Sequence, residues 1–113
     1  MKSQMFVKER NVRIRISTNF EPSISLEVMI NFFTPLRKKI EEMYYAHFNS
    51  RAVVVNFSKV TTSSSTVEGE LTLKLPEVRR HQNETPLETY RRGMATRDKF
   101  VKALQSLMVD LSS

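Results

Sequence analysis

The sequence predicts an α+β fold, a two-layer sandwich in the order β-α-β-β-α, with a three-stranded, mainly antiparallel sheet and both helices on one of its faces. Three observations carry that expectation. Residues 11–17 and 66–75 alternate between apolar and polar side chains, the signature of strands with one covered face. Residues 24–48 and 86–111 repeat apolar side chains every three or four positions, as amphipathic helices do. A serine-rich link joins 51–61 to 66–75, which makes those two runs a β-hairpin. A chain of 113 residues buries about two-thirds of its surface on folding, enough for one core without a metal or disulfide. Residues 1–113 therefore read as one small basic domain, with a flexible N-terminus at about 1–5 and a mobile basic connection at about 76–84.

In the first strand Val12, Ile14 and Ile16 point one way and Arg13, Arg15 and Ser17 the other. An extension back through Met5-Phe6-Val7 is compatible with the pattern. Ser23 or Ser25 caps the next element, because Glu27 and an apolar run follow. Leu26, Met29, Ile30, Phe33, Leu36, Ile40, Met43, Tyr44 and His47 then share one helical stripe, which Pro35 interrupts. Proline inside a helix costs about 3 kcal/mol, yet Thr34-Pro35 also suits a helix start. Two outcomes follow: one kinked helix over about 24–48, or two helices hinged at Thr34.

Val53, Val54, Val55, Phe57 and Val60 suggest a central strand covered on both faces for part of its length. After the turn at Thr61 to Thr66, Val67, Gly69, Leu71, Leu73 and Leu75 face inward, while Thr66, Glu68, Glu70, Thr72 and Lys74 face out. Pro76 ends the strand. Thr85-Pro86-Leu87-Glu88 combines a capping box with proline at the first helical position. Leu87, Tyr90, Met94, Val101, Leu104, Met108 and Leu111 follow on a helical seam whose one polar position is Arg97. Gly93 costs about 0.8–1 kcal/mol relative to alanine, so the helix runs over 86–111 or starts in earnest after it.

Composition excludes several kinds of chemistry. The absence of cysteine removes disulfides, thiolate nucleophiles and cysteine-based zinc or iron–sulfur sites. Two histidines, His47 and His81, leave little for an imidazole metal site, and two glycines exclude a glycine-rich phosphate loop. No metal and no cofactor is implied. Glu41 and Glu42 are adjacent on a helix and cannot face each other; they pair with Arg37 and Lys38 instead. Glu68 and Glu70 find partners in Arg13 and Arg15 across the strands, and Ser63-Ser64-Ser65 is turn chemistry. No catalytic constellation converges, and the protein reads as a non-enzyme.

Charge points to a partner. Eighteen Lys and Arg against twelve Asp and Glu leave +6, which favours an anionic ligand. The excess sits at the two ends: five basic residues against Glu9 alone in 1–20, and seven against five in 76–113. Arg13, Arg15, Arg79, Arg80, Arg91 and Arg92 are the expected nucleic-acid contacts, because the planar guanidinium binds two phosphate oxygens at once. The outward sheet positions of the three expected strands carry no aromatic, so recognition of a duplex, RNA or DNA, through its backbone and shape fits better than base stacking. The alternative is a scaffold or assembly subunit. A helix of 25 residues is about 38 Å long, more than three strands cover, so Met94, Val101, Leu104 and Met108 are expected to face a second copy in a homodimer, or the basic surface to meet an acidic protein. No apolar run approaches the roughly 20 residues of a membrane span, and no secretory leader is visible, so an intracellular location is expected.

Overall fold

The computed structural model describes residues 2–17, 20–63 and 67–112. It contains β1 (Lys2–Lys8), β2 (Asn11–Ser17), α1 (Leu26–Phe48), β3 (Asn56–Thr61), β4 (Val67–Lys74) and α2 (Pro86–Ser112). The α+β class is as expected, but the sheet has four strands, ordered β1-β2-β4-β3 and antiparallel throughout. The element order is thus β-β-α-β-β-α. The added strand is the N-terminal segment: residues 2–5, expected to be flexible, pair in register with Ile14–Ser17.

The signal that β1 and β2 form a hairpin is weak because the two-residue link is Glu9-Arg10. Such links favour Asn-Gly or Asp-Gly, which enter positive φ at little cost. Here Glu9 itself takes φ 56°. Arg10 secures the turn from the other side, since its carbonyl accepts from Leu75 N–H at 2.6 Å and its Nε donates to the Leu75 carbonyl at 2.9 Å.

The alternation read from the sequence holds in β2 and β4. Val12, Ile14, Ile16, Leu71, Leu73 and Leu75 are buried beneath the sheet, against Phe33, Leu36, Ile40 and Tyr44 of α1 and Phe100, Leu104 and Met108 of α2, and Val67 is buried as well. Burial of this apolar surface is the main drive for the fold. Gly69 faces the same layer because the Phe57 ring fills the space: a Cβ there would lie 2.8 Å from its Cζ.

Ser25 caps α1, its hydroxyl accepting from Val28 N–H at 3.2 Å, and Asn49 closes the helix at φ 51° with its N–H on the Tyr45 carbonyl. Pro35 does not divide it. The proline lies on the exposed side, where the carbonyl it leaves unbonded can turn to water, and the Thr34 hydroxyl donates to the Ile30 carbonyl one turn back. The valine run is not a central strand either. Strand β3 starts at Asn56 and lies at the sheet edge, paired only with β4; Val53 and Val55 pack on the core from the preceding segment while Val54 points away. The expected hairpin is present as β3 and β4, in a register that runs from Asn56 opposite Thr72 to Thr61 opposite Val67. Ser64, Ser65 and Thr66 of its link lie outside the described residues.

Helix α2 is continuous through Gly93, which Val78 explains. A Cβ at Gly93 would come within 2.7 Å of Val78 Cγ2, so the bare backbone is where the connection 76–84 docks. That connection is therefore held against the helix over part of its length. Among the described residues no helix is long and apolar enough to cross a membrane.

Candidate nucleic-acid interface

With both helices beneath the sheet, its other face is open. Strand register fixes which side chains share it: Lys2, Gln4, Phe6 and Lys8 from β1, Asn11, Arg13 and Arg15 from β2, Thr72, Glu70, Glu68 and Lys74 from β4, and Asn56, Ser58 and Val60 from β3. Five cations and two carboxylates leave this face with a net charge of +3.

The charges on it are segregated. Glu70 takes Arg15 at 3.0 Å, directly across the β2–β4 ladder, and lies 4.0 Å from Arg13. The opposite end holds a groove of about 840 Å³, floored by Asn11, Arg13, Thr72 and Lys74. One wall is Phe6 and Lys8 of β1, and the other is Ala52 and Val54 of the segment leading into β3 together with Asn56, the first residue of that strand. Its lining includes three cations, Lys8, Arg13 and Lys74, and no carboxylate. Phe6 is 42% exposed, with the Arg13 guanidinium 4.9 Å from the ring centroid, a distance for cation–π attraction.

The expected arginines separate into two groups. Arg13 and Arg15 lie on the open face, Arg15 engaged by Glu70 and Arg13 over Phe6. Arg79, Arg80, Arg91 and Arg92 belong to the connection and the first turns of α2, in the helix layer. Two of these four are structural. Arg92 grips both carboxylate oxygens of Glu84, at 2.9 and 3.0 Å, and donates to the Arg79 carbonyl at 2.6 Å. Arg80 donates to the Glu84 carbonyl. The Glu84 carboxylate also accepts from His81 N–H and the Thr89 hydroxyl, and these bonds, Arg92 foremost, hold its pKa far below the ordinary carboxylate range. Arg79 and Arg91 are exposed. The six arginines therefore do not form one continuous footprint.

Two further expectations change. Leu104 is fully buried and Met108 is 4% exposed, so both serve the chain's own core rather than a second copy; Val101 is half-buried and Met94 exposed. The open face also has an aromatic. Without β1 as a separate strand nothing in the sequence places Phe6 outward; the available signal is its parity with the polar positions Gln4 and Lys8, which share its face.

Two other polar candidates, His47 and Glu41, have structural partners. His47 packs by its ring on Phe100 and lies with Nδ1 2.9 Å from the Met43 carbonyl, while Glu41 pairs with Arg37 one turn away. Among the described residues no cluster of three metal-ligating side chains occurs. Comparison with known proteins finds no match to this chain, whether among protein-family models, curated proteins or solved structures.

Proposed function

We propose that the protein is a non-enzymatic nucleic-acid-binding module that engages phosphates through the open face of its sheet. The observation supporting this is the groove at the Lys8–Lys74 end, where Lys8, Arg13 and Lys74 converge on a concave surface with no carboxylate in its lining. Cations so placed attract a polyanion and release its condensed counterions, so binding weakens steeply with salt. Arg79 and Arg91, exposed on the helix layer, serve as auxiliary contacts to a long strand.

A titration by fluorescence anisotropy at salt concentrations between about 50 and 200 mM tests this. Each phosphate contact contributes about 0.7–0.9 to the slope of log affinity against log salt. The paired changes Lys8→Gln and Lys74→Gln are expected to lower that slope by about 1.5, and the pair Arg79→Ala with Arg80→Ala by less. A slope indifferent to Lys8 and Lys74 moves the site away from the sheet.

A second reading, self-association, is favoured by the start of α2. Leu87, Tyr90 and Met94 fall on one helical stripe and are exposed, Tyr90 by 64%. A homodimer formed there leaves the open face of each copy accessible.

A further inference from the structure

We infer that the nucleic acid taken by this face is single-stranded, DNA or RNA, with an unpaired base stacked on the Phe6–Arg13 pair. This rests on the phosphate-binding reading above and adds to it the kind of strand and the residues that select it.

Three features point this way. First, a cationic site meant only for a duplex backbone gains nothing from an exposed aromatic ring, yet Phe6 sits among the cations and is 42% exposed. Base stacking on an aromatic side chain is sequence-tolerant, because every base has a π-face, and arginine adds a cation–π contribution. Second, the Arg13 guanidinium lies 4.9 Å and that of Arg15 5.9 Å from the ring centroid, so planar groups are already gathered around Phe6. A base laid on the exposed part of this cluster extends an arrangement that exists without ligand. Third, the groove pairs that cluster with hydrogen-bonding side chains. Asn11 lies on its floor and Asn56 on the far wall, and each amide can both donate to and accept from a base edge. Lys8 and Lys74 remain for the flanking phosphates. A paired base offers neither its face nor its Watson–Crick edge to such a site, so the duplex is the disfavoured form.

The groove is thus a short site in which charge supplies attraction and Phe6 supplies discrimination. An acidic polypeptide would satisfy Lys8, Arg13 and Lys74 but would leave the ring without a stacking partner.

The test compares the intact protein with four probes of equal length: a uridine 12-mer, a thymidine 12-mer, a thymidine 12-mer with abasic sites replacing its bases, and a 12-base-pair duplex. Polyglutamate provides a fifth. Expected is tighter binding of the uridine or thymidine strand than of the abasic strand, the duplex and polyglutamate. The variant Phe6→Leu is expected to lose about 5- to 150-fold in affinity for the pyrimidine strand, the range for one stacked base, and nothing for the abasic strand. Because Phe6 is exposed, Phe6→Leu should unfold at the temperature of the parent, and the abasic comparison needs no variant. Equal affinity for the base-bearing and abasic strands, unaffected by Phe6→Leu but still dependent on salt and on Lys8 and Lys74, overturns the stacking inference and leaves phosphate binding standing. A preference for the duplex or for polyglutamate overturns the inference too. No salt-dependent binding of any nucleic acid overturns both.

Discussion

At the scale of single residues, the strongest polar arrangement is the clasp around Glu84. One carboxylate receives both Nε and a terminal nitrogen of Arg92, the Thr89 hydroxyl at 2.7 Å and the His81 N–H at 3.0 Å. Beside it Thr85 accepts from Glu88 N–H, so the connection and the first turn of α2 are bonded as a unit. The pKa of Glu84 is lowered by folding, first of all by Arg92, so folding favours the ionised form. Its contribution to stability is complete above the ordinary glutamate value of 4.5 and declines as pH falls below it, because the unfolded chain then takes up the proton first. Glu84→Gln keeps the shape and removes the charge. Urea midpoints of parent and variant should therefore differ at pH 7 and draw together between pH 4.5 and 3. A gap that stays constant over that interval would mean that the clasp does not carry this linkage. None of it follows from sequence spacing, since Arg92 is eight positions from Glu84 and meets it only because the connection folds back along the helix. That is why Arg92 resembled a free phosphate ligand among the basic residues of the last segment.

Among elements, the legible parts were those in which one local period decides the outcome. The alternation of 11–17 and 67–75 and the helical stripes around Ile40 and Leu104 are each set by burial on one face, and each appears as expected. What escaped was decided by contacts between elements. Glu9-Arg10 lacks turn chemistry, so β1 becomes visible only through its ladder with β2. Gly93 resembled a helix weakness, but it is a docking point for Val78. Replacing it with alanine sets two effects against each other: about 1 kcal/mol gained in helix propensity, and a cost of about 1–3 kcal/mol for forcing a methyl into an occupied space. With Val78 Cγ2 at 2.7 Å and Cβ at 3.1 Å from the added carbon, the second should win, for a net loss of about 1 kcal/mol. The double change Val78→Ala with Gly93→Ala removes the collision and should recover the propensity gain relative to Val78→Ala alone, a coupling that a thermodynamic cycle measures. Additive effects would show that the glycine is not there for the valine.

For the molecule as a whole, shape follows from unequal lengths. The 27 residues of α2 span about 40 Å, whereas strands of six to eight residues cover about 20–27 Å. The helix cannot lie wholly beneath the sheet, and the molecule extends over 56 × 24 × 23 Å. Its first buried side chain with substantial apolar volume is Phe100, fourteen positions after Pro86. The turns before it are covered on one side by the connection and leave Leu87, Tyr90 and Met94 in water. Three apolar side chains on one stripe, with a clasped and rigid backbone behind them, suit pairing with the same stripe of a second copy about a twofold axis. An elongated chain elutes early in sizing chromatography whether or not it pairs, so mass must be measured directly. Light scattering is expected to return twice the 13.2 kDa of the chain, and the pair Tyr90→Ser with Met94→Ser to return it once. Since Leu104 and Met108 are core residues, serine at either should instead unfold the protein, which separates the interface from the core. A parent that scatters as a single chain at all concentrations would remove the dimer while leaving the groove on the opposite layer untouched. If the dimer forms, two grooves are carried on one particle, and a strand long enough to reach both should bind more tightly than a 12-mer by the effective-concentration gain of a bivalent contact. The double serine variant should abolish that gain without weakening the 12-mer.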